Sequence, residues 1–161
     1  MSQSAMTELP KHILVVCTGN ICRSPLAAAL LRSTAKKRGF ETLEVLSAGT
    51  TDYKEGEGAD LTVMQIARDH GLDLSSHVAR QVRLSDIQWA DLIIVMDRDN
   101  ALRLREMFGD SLQQKVSPLM RFVDNATRLD VPDPYKRNYR EYMKAFSLIR
   151  KGCDGLIGNF E

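Results

Sequence analysis

Cys17 and Arg23 close the two ends of the run Cys17-Thr18-Gly19-Asn20-Ile21-Cys22-Arg23, and Ser24 and Pro25 follow at once. A tight, glycine-containing loop between a strand and a helix can point successive backbone N–H groups at one anion. An arginine at its end adds a planar fork that holds two oxygens of a phosphate together. A thiol at the mouth of such a nest feels the helix N-terminus and the arginine, and both favour thiolate over thiol. An anion cradle above a thiolate is built for nucleophilic attack on phosphorus. Catalysis then comes from in-line positioning and from stabilising the equatorial oxygens as charge shifts. The competing reading is a core cysteine in a strand-to-helix turn. It explains Cys17 alone but not the coincidence of glycine, arginine and Ser-Pro around it. A nucleotide-binding loop is disfavoured because no Gly-Lys-Ser/Thr follows.

Attack by a thiolate needs an acid to protonate the leaving oxygen. Val131-Pro132-Asp133-Pro134-Tyr135 offers one. Two prolines hold Asp133 in an extended, pre-set backbone, and Tyr135 beside it supplies an aromatic wall. Alone, Pro-Asp-Pro reads as an ordinary turn; with Cys17 it supplies the missing partner.

These residues need a scaffold. His12 to Val16 is a short apolar, β-branched run of the kind buried on both faces of a sheet. Ser24 then reads as a hydroxyl N-cap with Pro25 at the first helical position. Leu26, Leu30 and Leu31 give this helix an apolar side, and Gly39 ends it. A second strand is expected over Leu43 to Ala48, a loop over Gly49 to Gly58, and a helix over Ala59 to His70. A third strand over Asp91 to Met96 leads into a helix over Asp99 to Phe108. A short strand near Lys115 to Leu119, a loop over Asp124 to Pro134 and a helix over Asn138 to Ile157 complete the chain. This alternation implies an α/β domain whose parallel sheet is covered on both faces. Ligands bind such sheets beyond the carboxyl ends of the strands, where the Cys17 loop lies.

The chain has 161 residues, 43% hydrophobic and 27% charged, with a formal net charge of +1. That fits one globular domain and argues against a broad field for nucleic acid or anionic membrane. No apolar run approaches the ~20 residues of a membrane span. Residues 1–11 are polar and lack a signal peptide's apolar stretch, so they read as a frayed leader of a cytoplasmic protein, with the domain over 12–161. Three cysteines make no disulfide framework and no zinc pattern.

With both motifs in place, the chain resembles the low-molecular-weight protein tyrosine phosphatases. Val15-Val-Cys-Thr-Gly-Asn-Ile-Cys-Arg-Ser-Pro25 is similar to that family's Cys-x5-Arg-Ser signature, and Val131-Pro-Asp-Pro-Tyr135 to its acid loop. The acid follows the cysteine, the reverse of the order in the larger tyrosine phosphatases. The resemblance implies a single domain with a four-stranded parallel sheet and helices on both faces. It implies no metal or organic cofactor and a phosphotyrosine-containing protein as partner; a monomer is expected. It also implies roles: Cys17 as nucleophile, Arg23 as phosphate clamp, and Asp133 as acid and then base. Thr18, Gly19, Asn20, Ile21, Cys22 and Ser24 form the phosphate-binding loop. Ser24 donates its hydroxyl to the thiolate, and Asn20 locks the loop with Ser47 and His77 in support. Tyr53 and Tyr135 line the substrate pocket, and Cys22 can pair reversibly with Cys17 on oxidation. Read without the resemblance, His77 is a surface helix residue, Ser47 a strand-end hydroxyl and Asp97 a helix start. The resemblance also places Asp97 near the loop.

Two departures bear on specificity. Ile21 stands where the related protein-arginine phosphatases carry threonine, and its lack of a hydroxyl favours a flat aryl phosphate over a guanidinium. Tyr53 stands where eukaryotic members usually present tryptophan, and Leu61 replaces a usual proline, so the rim differs. The runner-up activity is a protein-arginine phosphatase. An arsenate reductase needs a downstream pair of cysteines, and only Cys153 follows. A non-catalytic phosphopeptide-binding module is expected to lack the nucleophile or the acid, and both are present.

Overall fold

The computed structural model describes residues 8–161, and its central strand is His12–Cys17 (β1). Five of its six residues are buried, as the uninterrupted apolar run requires. β1 pairs in parallel with Glu44–Gly49 (β2) on one side and Leu92–Val95 (β3) on the other, and Val116–Pro118 (β4) extends the sheet beyond β3. The order is β2-β1-β3-β4. The chain winds from β1 to β2 in one direction and then crosses to β3, so the switch point lies at the carboxyl end of β1. Cys17 is the last residue of that strand, paired with Gly49.

Alternate side chains feed two cores. Ile13 and Val15 of β1, with Leu92 and Ile94 of β3, face one cluster, into which Arg23–Lys37 (α1), Leu61–Asp69 (α2) and Tyr139–Gly158 (α5) pack. Leu14, Val16, Ile93 and Val95 face the second, closed by Leu84–Trp89 (α3) and Arg98–Phe108 (α4). Two 3-10 turns, Asp110–Lys115 and Leu119–Phe122, flank β4. The second meets α5 so closely that a Cβ on Gly155 would run into the carbonyl oxygen of Phe122. The result is one α/β domain with helices on both sheet faces.

The expected elements are present with ends displaced by a residue or two, and α3 adds a short helix that the sequence pattern does not announce. The start of α1 is different. Ser24 is not its N-cap: the helix begins at Arg23 after Cys22, which makes no side-chain cap bond. The Ser24 hydroxyl is drawn inward to Cys17 instead, leaving none to cap the turn. Pro25 fits as the third helical residue because the first turn has no intrahelical N–H bonds to lose. His77 lies in an irregular segment rather than on a helix. Of the leader over 1–11, residues 1–7 lie outside the described residues, while Leu9 packs against the first core and Pro10 is buried. No helix among the described residues is long and apolar enough to cross a membrane.

Candidate active site

The loop after β1 folds back over its own cysteine. The Asn20 N–H donates to Cys17 Sγ at 3.3 Å, and the Ser24 hydroxyl lies 2.9 Å from the same sulfur. Asn20 takes φ 58°, a left-handed turn that asparagine tolerates better than most residues. Its side chain is fully buried and makes three hydrogen bonds. Nδ2 donates to Ser24 Oγ at 2.8 Å and to Ser47 Oγ at 3.0 Å, and Oδ1 accepts the Arg80 N–H at 3.0 Å. Ser24 Oγ accepts from Asn20, and its single proton is free to be given to the sulfur when Cys17 is a thiolate.

Behind this loop stands a second layer. His77 Nε2 is 2.7 Å from the Asn20 carbonyl oxygen, an acceptor only, so Nε2 carries the proton. Burial first, then the nearby Arg32 and Arg80 charges, lower the His77 pKa against the opposing pull of that carbonyl. Arg80 is in turn fixed by a two-pronged bond to Asp86 on α3, at 2.8 and 2.9 Å. Burial alone would raise the Asp86 pKa, but Arg80 and the Arg83 N–H outweigh it and hold the carboxyl below its ordinary range. Gly49 of β2 presses directly on the loop: a Cβ there would sit 2.6 Å from the Thr18 carbonyl oxygen.

Arg23 is 2% exposed and held on several sides. Nη1 donates to Asp97 Oδ2 at 2.7 Å and to the Val131 carbonyl at 2.8 Å. Nη2 lies 3.5 Å from Thr18 Oγ1 and 3.6 Å from Asp133 Oδ2. Burial opposes the guanidinium charge, yet Cys17, Asp133 and Asp97 together raise its pKa. The contact with Val131 bears on Asp133: the Val131 N–H is anchored to the Met96 carbonyl at 2.7 Å, tying the Asp133 loop to the end of β3. Asp133 follows two residues later, with Oδ1 accepting the Tyr135 N–H at 3.1 Å.

A cavity of about 130 Å³ opens above Cys17. Its walls include Thr18, Gly19, Ile21, Cys22 and Arg23 from the loop, Asp133 and Tyr135 from the Val131–Tyr135 segment, and Tyr53 from the facing rim. Asn20, Ser24, Ser47 and His77 do not reach it; they brace the loop from behind. A largely apolar slot lined by a sulfur, a guanidinium and a carboxyl can receive a phosphate carried on a flat ring. The match to the low molecular weight phosphotyrosine protein phosphatase family model spans residues 12–161. The chain belongs to that family.

Relatives agree along nearly the whole length. The low molecular weight protein-tyrosine-phosphatase YfkJ of Bacillus subtilis is 36% identical over 151 residues, which are 92% of this chain and 95% of that protein. A crystal structure of a protein tyrosine phosphatase from Entamoeba histolytica, with Hepes in its active site, superposes with a TM-score of 0.84 at 31% identity, covering 91% of this chain and 94% of that one. The Drosophila arginine phosphatase DARP superposes as well, with a TM-score of 0.85 at 27% identity, covering 92% and 97%.

The structure adds residues to this phosphatase site that the motifs did not single out. Asn100, fully buried, accepts the Met96 and Asp97 N–H groups at 3.1 and 3.2 Å and donates to Thr18 Oγ1 at 3.3 Å. Asp97 caps α4 through the Asn100 N–H while holding Arg23, so it is both a helix start and a neighbour of the loop. The reciprocal capping pair Asp97–Asn100 was the available signal. Thr51 and Lys54 also line the cavity. Lys54 carried no signal beyond its place in a loop.

Proposed function

We propose that the chain hydrolyses phosphotyrosine in proteins through a phosphocysteine intermediate on Cys17, with the catalytic domain over 12–161. The observation that carries the reading is the convergence of Cys17, Arg23 and Asp133 on one cavity walled by Tyr53 and Tyr135. Cys17 Sγ attacks phosphorus in line, an S–P bond forms and the P–O bond to the ring breaks. Asp133 gives its proton to the departing phenolate. Arg23 and the loop's N–H groups hold the equatorial oxygens while charge moves onto the leaving oxygen. A water then attacks phosphorus, Asp133 accepts its proton, the S–P bond breaks and the thiolate returns. The Ser24 proton steadies the sulfur as it leaves. The Asp97 and Val131 contacts hold the guanidinium plane beforehand, so little reorganisation is left for the reaction itself.

The likeness to an arginine phosphatase gives a second reading, dephosphorylation of phosphoarginine. Ile21 favours the first. It lines the cavity at 7% exposure and offers an apolar surface with no hydroxyl for a guanidinium to bond. The test compares kcat/KM on phosphotyrosine and phosphoarginine peptides of the same sequence. The phosphotyrosine peptide is expected to be turned over faster, with vanadate inhibiting. Much faster release of phosphate from phosphoarginine refutes the assignment. Asp133→Ala should slow aryl phosphates with poor leaving groups more than those with good ones, and equal losses would remove Asp133 from the acid role.

A further inference from the structure

Cations follow directly in the chain on Asp133 and Tyr135, which wall the cavity. Between Asp133 and Glu141 the chain carries Lys136, Arg137 and Arg140 and no carboxylate. All three are exposed, and none forms a salt bridge among the described residues. Lys136 is set by the backbone: it takes a left-handed φ of 62°, and the Arg137 N–H closes the turn onto the Pro134 carbonyl at 2.8 Å. Its ammonium stands 5.5 Å from the centre of the Tyr135 ring. Lys54 approaches the same ring from the opposite rim, with Nζ 5.1 Å from the centre. Its stem crosses above Gly19, where an added Cβ would lie 3.5 Å from Lys54 Cγ. The Tyr135 hydroxyl, then Glu57, raise the Lys54 pKa and keep it charged. Glu55, on the Lys54 loop, is turned away to the Gln81 N–H at 3.0 Å. Glu57 compensates Lys54 in part, whereas Lys136 and Arg137 have no salt-bridge partner among the described residues.

We infer that this site selects phosphotyrosine segments carrying aspartate or glutamate beside the phosphotyrosine, read by Lys136 and Arg137 with Lys54 across the mouth. The inference rests on the phosphotyrosine reading of the site. A substrate ring seated against Tyr135 leaves its peptide backbone lying across this rim. Neighbouring residues lie about 3.8 Å apart along the chain, within reach of the two ammonium groups. Each exposed pair contributes little by itself, so two or three together are worth about three- to tenfold in kcat/KM. Salt weakens them.

The test measures kcat/KM on three phosphotyrosine peptides of equal length with acidic, neutral or basic flanks, at low and high salt, beside p-nitrophenyl phosphate. Acidic flanks should be preferred over neutral ones by about three- to tenfold, with the gap narrowing in high salt. In K136N/R137Q the acidic-to-neutral ratio should fall toward one. Asparagine suits the left-handed turn, and a ratio taken within one preparation does not depend on its folded fraction. Equal rates on acidic and neutral peptides, or a ratio unchanged in K136N/R137Q, overturn the inference. If p-nitrophenyl phosphate is cleaved and no phosphotyrosine peptide is, the reading beneath it falls and the inference with it.

Discussion

Asn20→Ala removes the side chain that locks the phosphate loop, and its cost can be worked from the contacts. Three hydrogen bonds are lost, to Ser24, Ser47 and the Arg80 N–H, at 2.8, 3.0 and 3.0 Å. At about 1 kcal/mol each they sum to about 3 kcal/mol. Alanine at φ 58° adds about 1 kcal/mol of strain. The loop is thus destabilised by about 3–4 kcal/mol, a shift of roughly 200-fold or more in its equilibrium. If the remaining contacts hold the loop, the loss appears in the urea midpoint; if they do not, the loop rearranges and kcat falls instead. Urea unfolding and p-nitrophenyl phosphate kinetics on the same preparation separate the two. Ser47→Ala removes one of the three bonds and should show about a third of the effect. An Asn20→Ala protein within about 0.5 kcal/mol of wild type in stability, and within about twofold in kcat, would refute the bracing role given to Asn20.

Gly49→Ala should push the Thr18 carbonyl outward, because the new Cβ would meet it at 2.6 Å, and should lower kcat and vanadate affinity together; unchanged values of both would contradict this. Iodoacetamide at neutral pH should label Cys17 and spare the other two thiols. Burial, then Asp60, pushes the Cys22 thiol far up, and burial, then Asp154, does the same for Cys153. Peptide mass mapping reads the outcome, and labelling of Cys22 at the rate of Cys17 would refute it. For His77 the folded pKa lies below the unfolded one, so the unfolded chain takes up the proton first as pH falls. His77 therefore contributes stability fully above about pH 6.5 and loses it progressively below. His77→Gln should flatten that part of the stability-versus-pH curve by up to about 1.4 kcal/mol per pH unit, read from urea midpoints, and an unchanged slope would exclude the histidine.

The strands β1 and β3 were legible because a strand buried on both faces must be an unbroken apolar run, and no helix of that length competes for it. α3 was not: Leu84-Ser-Asp-Ile-Gln-Trp89 buries only Asp86 and Ile87, too little for a helical period to show. The start of α1 was misread because Ser-Pro looks the same whether the hydroxyl caps a helix or faces a thiol. Only the fold, by bringing Cys17 within 2.9 Å, shows which partner it took. The same limit hid the work of Asp97. An aspartate before a helix is an ordinary cap, and its bond to Arg23 spans 74 residues. Asn100 and Arg80 also act through partners far away in sequence, Thr18 at 82 residues and Asn20 at 60. The residues proposed to react come in two short, recognisable segments, whereas the parts that hold them are set by tertiary contact.

The central claim is that phosphate passes through Cys17. Asp133→Ala slows the return of water to phosphorus, so its reaction with p-nitrophenyl phosphate should accumulate the intermediate. Acid quenching followed by peptide mass analysis is expected to find one phosphoryl group on the peptide containing Cys17, and none in the Cys17→Ser protein. Phosphoryl on another residue, or turnover by Cys17→Ser at the wild-type rate, would contradict the account.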